Sequence, residues 1–135
     1  MALHRFALPA LLFVLIPLIG CDGSRDPASA ADPAAAYEDF FRQLARGNTQ
    51  QALEQLAPEG ALGNTFQGAG YYMLAETVGA RLEEHGGLSE IVIDQRHSHE
   101  DESITVEGRL ILRDGTEVER RIRFSQEQGR WVGRI

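Results

Sequence analysis

The chain has no lysine, a single cysteine at Cys21 and, beyond its first twenty residues, no long apolar run. Each absence excludes something. One cysteine cannot close an internal disulfide, so any fold here must stand on packing alone. With every basic residue an arginine among many alanines, the missing lysines read as composition bias and not as chemistry. No Ser-His-Asp or Cys-His set is visible. The basic residues are also outnumbered, 13 against 20 acids, for a formal charge of −7. That balance repels nucleic acid and anionic headgroups at short range, and nucleic acid is not an expected partner.

What is present begins with a leader. Arg5 supplies one firm positive charge, and residues 6–19 (FALPALLFVLIPLI) are almost wholly apolar before the small Gly20. A charged start, a short apolar run and a small residue at the cut is the pattern of a secretory signal. A membrane-spanning helix is the rival reading. Fourteen residues rise only about 21 Å as a helix, short of the roughly 30 Å hydrocarbon core. Pro9 and Pro17 also suit a permanent helix poorly. Leu18-Ile19-Gly20-Cys21 resembles the lipobox of bacterial lipoproteins. The resemblance implies lipidation of Cys21, cleavage just before it and acylation of the new terminus. Several acyl chains hold a protein stably to a bilayer. Asp22 resembles the signal that retains such proteins at the inner membrane, so the expected location is the periplasmic face of that membrane. Cleavage removes Arg5 and no acid, leaving 12 arginines against 20 acids, a charge of −8.

Residues 22–31 (DGSRDPASAA) are small and polar, are broken by Pro27 and show no apolar period. They read as a flexible tether with a reach of about 18 Å. Residues 32–135 then suffice for one domain. Asp32-Pro33 is an N-cap followed by a proline at the first helical position. Tyr37, Phe40, Phe41 and Leu44 make one apolar stripe, and Gly47 ends it. Asn48 with Gln51 predicts a cap for a second short helix bearing Ala52, Leu53 and Leu56, ended before Pro58. Residues 59–70 read as a Gly-rich loop. A third helix is expected from about residue 70 to 84, with Tyr71, Leu74, Val78 and Leu82 inward and His85 at its end.

From Leu88 the period changes to two. Ile91 and Ile93 alternate with polar neighbours, and Ile104, Val106, Leu110 and Leu112 continue the pattern. Asp114-Gly115 is a hairpin signal. Val118, Ile122 and Phe124 lie on the return strand, with Arg120 intruding, and a last strand carries Trp131. Helices followed by an antiparallel four-strand meander give an α+β class, with the helices covering one face of a curved sheet.

The order resembles the nuclear transport factor two-like superfamily, the cystatin-like cones. The likeness rests on the aromatic helix AYEDFFRQLARGN, the short QQALEQLAP helix, the hairpin RLILRDGTEVERRIRF and the closing GRWVGRI strand. It covers about residues 32–135. The superfamily includes ketosteroid isomerase, scytalone dehydratase and many non-catalytic binding modules, so fold alone does not name an activity. The resemblance implies a pocket between helices and sheet, and pairing of two copies through the sheet in many members.

By this reading Tyr37, Phe41, Tyr71, Tyr72, Arg120 and Trp131 are the candidate ligand-binding residues, and no carboxylate falls on an inward sheet position. A filled apolar core is the competing expectation. His97 and His99, with carboxylates close behind, are candidate metal ligands, but spacing supplies no third ligand, and a polar hairpin is the plainer reading. Gly63-x-x-x-x-Gly68 opens like a phosphate loop but continues Ala69-Gly70 in place of Lys and Ser or Thr. No cofactor is expected. Arg109, Arg120, Arg121, Arg123, Arg130 and Arg134 interleave with Glu107, Glu117 and Glu119, which predicts cross-strand ion pairs on a solvated face or a docking surface for an acidic partner. The leading reading is a lipid-anchored envelope module that binds an envelope protein or small apolar ligand without catalysis. The alternatives are a small enzyme using the cone pocket and a metal-binding protein using His97 and His99.

Overall fold

Asp32 opens the described part of a computed structural model, residues 32–135. The expected leader, Cys21 and the tether lie outside the described residues. The Asp32 carboxylate accepts a hydrogen bond from the Ala35 N–H at 2.9 Å, and Pro33 follows at the first helical position. Helix α1 spans Pro33–Ala45 and buries Tyr37, Phe40, Phe41 and Leu44, the stripe its spacing predicts. The chain turns at Gly47, and α2 (Thr49–Leu56) buries Ala52, Leu53 and Leu56. The expected Asn48–Gln51 capping pair does not form. Asn48 donates instead to the Gln43 side chain at 2.8 Å, tying the two helices across their turn.

Helix α3 spans Thr65–Glu84 and begins more than a turn before the start near residue 70 expected from sequence. Asn64 decides this, accepting from the N–H groups of Phe66 (3.0 Å) and Gln67 (3.2 Å). The glycines that read as loop are helical because of what lies beside them. A Cβ on Gly68 would stand 2.7 Å from the Leu62 carbonyl oxygen, so the preceding turn folds back onto a helix surface that must be bare.

Strands β1 (Leu88–Ser98), β2 (Ile104–Leu112), β3 (Glu117–Glu127) and β4 (Arg130–Arg134) form one antiparallel sheet in the order β1-β2-β3-β4. The register pairs Val106 with Ile122 and Leu110 with Val118. Val106, Leu110, Leu112, Ile122 and Phe124 are buried beneath the helices, as the alternation predicts, while Ile104 and Val118 are half-buried. The fold is α+β, three helices on the four-strand sheet.

The sheet bends at Gly108. Its partner β1 carries a bulge between Ile93 and Gln95, which leaves Asp94 unpaired in the ladder. A Cβ on Gly108 would lie 2.5 Å from the Val92 carbonyl oxygen and 3.0 Å from the Tyr37 hydroxyl, so only glycine fits. Tyr37 fills the hollow of the bend with 0% exposure, and its hydroxyl donates to the Arg120 carbonyl at 3.0 Å. Tyr71 makes the equivalent tie from α3, donating to the Gly133 carbonyl at 2.7 Å. Tyr37 and Phe40 each meet Phe41 edge-on, at 4.7 and 5.0 Å between ring centres. That geometry suits aromatic quadrupoles.

Two alanine substitutions separate close approach from simple helix propensity. Gly108→Ala forces the Val92 carbonyl and Tyr37 apart and is expected to lower unfolding free energy by about 1–3 kcal/mol. Gly79→Ala in α3 meets nothing within 4 Å and is expected to raise it by about 0.5–1 kcal/mol. Urea denaturation of the two variants against the parent checks both signs.

Candidate functional site

The six candidate ligand-binding residues divide once their surroundings are known. Tyr37 and Phe41 are fully buried and Tyr71 is 7% exposed; they wall the core and do not line an open cavity. Tyr72 points outward, its hydroxyl 3.4 Å from the Gln50 side chain. Trp131 is half-buried over α1 and α2 beside Phe40 and Leu56, at a cavity of about 10 Å³, too small to hold a ligand. Arg120 lies on the inward row, and its guanidinium donates to the Glu119 carbonyl at 2.8 Å. The structure therefore joins Tyr37, Phe41, Tyr71 and the Arg120 backbone in one packed unit, sets Trp131 against its margin and leaves Tyr72 on the surface. The sequence shows ring types and their faces. Whether a ring fills a cavity or borders one depends on neighbours that only the tertiary fold supplies.

The protonation of the buried hydroxyls follows from their setting. Burial pushes the Tyr37 hydroxyl far up, against the opposing charge of Arg120 and with a smaller upward push from Asp94. Burial likewise raises Tyr71, with Arg134 opposing. Both phenols keep their protons at neutral pH and act as donors to backbone carbonyls, so neither is poised as a general base.

The hairpin between β1 and β2 holds a second polar cluster. His97 bonds the Gln95 side chain at 2.8 Å, and His99 bonds Thr105 at 2.8 Å. The two histidines thus take different partners. Among the described residues no group of three or more His, Cys, Asp or Glu side chains is placed to hold a metal ion. The network of the hairpin centres instead on Ser103, which is 3% exposed. Its hydroxyl donates to Asp101 at 2.5 Å and accepts from the Arg123 Nε at 2.8 Å. Arg123 also reaches Asp101 at 2.9 Å. The bonds from Ser103, aided by Arg123, hold the Asp101 carboxyl down at about 2. A carboxylate so pinned is a poor proton acceptor at neutral pH, and Ser103 is engaged on both sides. Ser103 did not stand out in the sequence and Asp101 stood only among the carboxylates behind His97 and His99, because the turn that joins them, with Glu102 at φ 63°, is a backbone event.

The outer sheet face carries the charge, and its arginines are paired across strands. Arg109 bridges Asp94 (2.9 Å) and Glu117 (3.1 Å), Arg121 meets Glu107 (2.8 Å) and Arg134 meets Glu127 (2.8 Å). The hydrogen bond and charge of Arg109 lower the Asp94 carboxyl, and Asp94 in turn raises Arg109. Arg130 leaves this set and donates to the Glu54 and Ala57 carbonyls at the end of α2. At the β1 bulge an open cleft of about 520 Å³ is bordered by Asp94, Gln95, Glu107, Glu119, Arg120 and Arg121. A larger one, about 630 Å³, lies between the end of α2 and the β3–β4 turn, beside Glu54, Pro58, Leu62, Gln128 and Arg130. Both are surface clefts, suited to binding and not to excluding water. The segment that opens like a phosphate loop is a turn running into α3, and the Gly68 N–H is taken by the Asn64 carbonyl at 2.7 Å.

At the far end of the sheet, Asp114 accepts from the Thr116 N–H at 2.9 Å and pairs with the His85 ring at 2.5 Å. The Thr116 amide bond, then the His85 bond, hold the Asp114 carboxyl down at about 2. Asp101 and Asp114 thus both sit below their ordinary 3.8 in the folded chain. Their contribution is complete above that ordinary value and disappears as pH falls through about 2, because the unfolded chain takes up protons first. Melting temperature is expected to fall on acidification from about pH 5 to about pH 2. The fall is expected to be shallower when Asp101→Asn and Asp114→Asn are combined. An unchanged slope in that double variant would remove these carboxylates as the cause.

No family model matches the chain, and no curated protein matches it in sequence. Among solved structures, a Campylobacter jejuni protein provisionally named an NTF2-like transpeptidase superposes with a TM-score of 0.62 at 12% identity. The match covers 76% of this chain and 96% of that one. At that identity the likeness is one of fold, and the three helices on their bent sheet have the NTF2-like, that is nuclear transport factor two-like, architecture.

Proposed function

We propose that the chain is a lipid-anchored lipoprotein of the bacterial cell envelope whose domain binds a ligand or partner protein without catalysing a reaction. The observation that carries the second half is the packed interior. Where this fold would hold a substrate, Tyr37, Phe40, Phe41 and Phe124 stand within 1% of complete burial, and the Tyr37 and Tyr71 hydroxyls are committed to backbone carbonyls. The transpeptidase name of the structural neighbour is not carried over. Acyl transfer through the enzyme needs a nucleophile activated by an adjacent base. Ser103, the most buried serine among the described residues, has a carboxylate pinned near 2 for its neighbour. The anchor rests on the sequence: an apolar leader, Leu-Ile-Gly before Cys21 and a polar stretch after it.

Binding then belongs to the surface, and the cleft at the β1 bulge is the place offered, with Arg121 and Glu107 on its border. The Arg121 side chain is 72% exposed, so an exposed pair of this kind adds little to stability and can be changed without unfolding the domain.

Two measurements test the reading. Cell fractionation is expected to place the parent chain in the membrane fraction with acyl mass on Cys21, and to find Cys21→Ser without acyl mass. An unmodified parent chain in the soluble fraction would overturn the anchor. Native mass spectrometry of the chain extracted from envelopes is expected to show a retained ligand or partner. Arg121→Glu should lose it with no change in melting temperature. Retention unaffected by that reversal moves the site away from this cleft.

A further inference from the structure

The described residues expose four large apolar side chains: Phe66 at 92%, Met73 at 67%, Ile135 at 56% and Tyr72 at 40%. All four lie on or beside the first half of α3, Phe66 and Met73 on one side of it and Tyr72 about 100° or more around the axis from both. Phe66, Tyr72 and Met73 lie in the first half of α3, and the Ile135 side chain lies 3.8 Å from where a Cβ on Gly70 would be. The core-facing line of α3 is Tyr71, Ala75, Val78 and Leu82. At 3.6 residues per turn, Phe66, Met73, Thr77 and Ala80 fall within about 40° of a line on the opposite side. All four are exposed. A surface helix of a globular domain has one apolar stripe; α3 adds Phe66 and Met73 on its other side, a line that is apolar in the first half of the helix and ends at Glu84.

Charge is missing from the same place. Residues 60–75 contain no Asp, Glu, Lys, Arg or His, although charged residues make up 24% of the chain and would average about four over such a span. The acids and arginines of α3 begin at Glu76. A contiguous exposed apolar patch marks a surface that meets another protein or a membrane. The absence of any charge to pair with a partner's rim favours the low-dielectric occupant. So does the geometry of attachment. On the proposed lipoprotein reading, on which this inference rests, the acylated Cys21 stands eleven residues before Asp32. Only ten residues, 22–31, lie between them. Such a leash holds the domain surface at high effective concentration against the bilayer. The ends of α1 and α3 meet at one cleft, where Arg42, Ala45 and Arg46 border Gly86 and Gly87.

We propose that the first half of α3 docks the domain on the bilayer that carries its lipid anchor, with Phe66 and Met73 entering the interfacial layer. Tyr72, an apolar ring with a polar tip, suits the rim of such a contact. The recognised chemistry is a neutral or zwitterionic lipid surface, because a domain with 11 arginines against 18 acids, a charge of −7, gains nothing from anionic headgroups. Docking by this face leaves the charged sheet face directed elsewhere.

The test uses the acylated chain purified from membranes and placed in vesicles of phosphatidylcholine and phosphatidylethanolamine. Acylation occupies the Cys21 sulfur, so Met73→Cys supplies one free thiol for a spin label, and Glu90→Cys on exposed β1 supplies the control. Collision of the label with oxygen, which concentrates in lipid, is compared with collision with a water-soluble nickel chelate. Position 73 is expected to favour oxygen and position 90 the chelate. Adding Phe66→Ser should shift position 73 severalfold toward the chelate with melting temperature unchanged. Equal accessibility at 73 and 90 in the acylated chain would overturn docking and leave the anchor standing. Dipolar broadening between labels at 73 would assign the face to a second copy and overturn docking equally. Absence of acyl mass on Cys21, read on the same sample, would fail the anchor and docking together, which separates that failure from the others.

Discussion

The burial of Tyr37 in the bend of the sheet is the contact on which the rest depends. Its ring occupies the hollow that Gly108 leaves, and its hydroxyl is tied to the Arg120 carbonyl. A phenol buried without a partner costs about 1–3 kcal/mol, so the bond fixes where α1 lies over the sheet. The same bend explains the outer face. Where β1 crosses Gly108 it bulges, and the extra residue, Asp94, is thrown out to meet Arg109. One bend therefore produces both an aromatic interior and the first of the exterior ion pairs.

Much of this was legible in the sequence, and for local reasons. Asp32-Pro33 announces α1 by cap chemistry, and the spacing of Tyr37, Phe40, Phe41 and Leu44 marks its buried side. Asp114-Gly115 fixes the β2–β3 turn, and alternation then names Val106, Leu110, Leu112, Ile122 and Phe124 as core. What was not legible is what depends on distant atoms. Gly68 reads as a loop residue, and only the return of the Leu62 carbonyl shows why a glycine is placed inside a helix there. Asn48 has the right type for a cap, but Gln43 competes for its side chain. Ser103 and Asp101 carry no motif; a turn of left-handed backbone at Glu102 brings them to Arg123. The candidate site suffered from the same limit. Tyr37, Phe41 and Tyr71 have pocket-like side chains, and the volume around them decides that they are core.

A filled interior moves the functional question to the surface, where two regions differ in kind. The sheet face is dense in arginine and carboxylate, and most of that charge is balanced within the face. Exposed pairs of this sort add about 0–1 kcal/mol each. Their presence is thus weakly explained by stability, and a surface of fixed, alternating charge discriminates partners more than it holds them. The first half of α3 is the reverse, apolar and free of charge over residues 60–75.

Folding does not account for that second region. Asn64 starts α3 without help from Phe66, and Tyr71, Ala75, Val78 and Leu82 hold it to the core. Phe66 at 92% exposure contributes almost no burial to the domain. Aromatic residues have poorer helix propensity than the alanines this chain uses so freely. An exposed Phe and Met also carry an aggregation liability that a polar residue at either position would avoid. Side chains that neither form the helix nor stabilise the core, and that burden solubility, are placed by something outside the fold. A flank without charge over residues 60–75 is suited to apolar surroundings, which is the contact we propose for it.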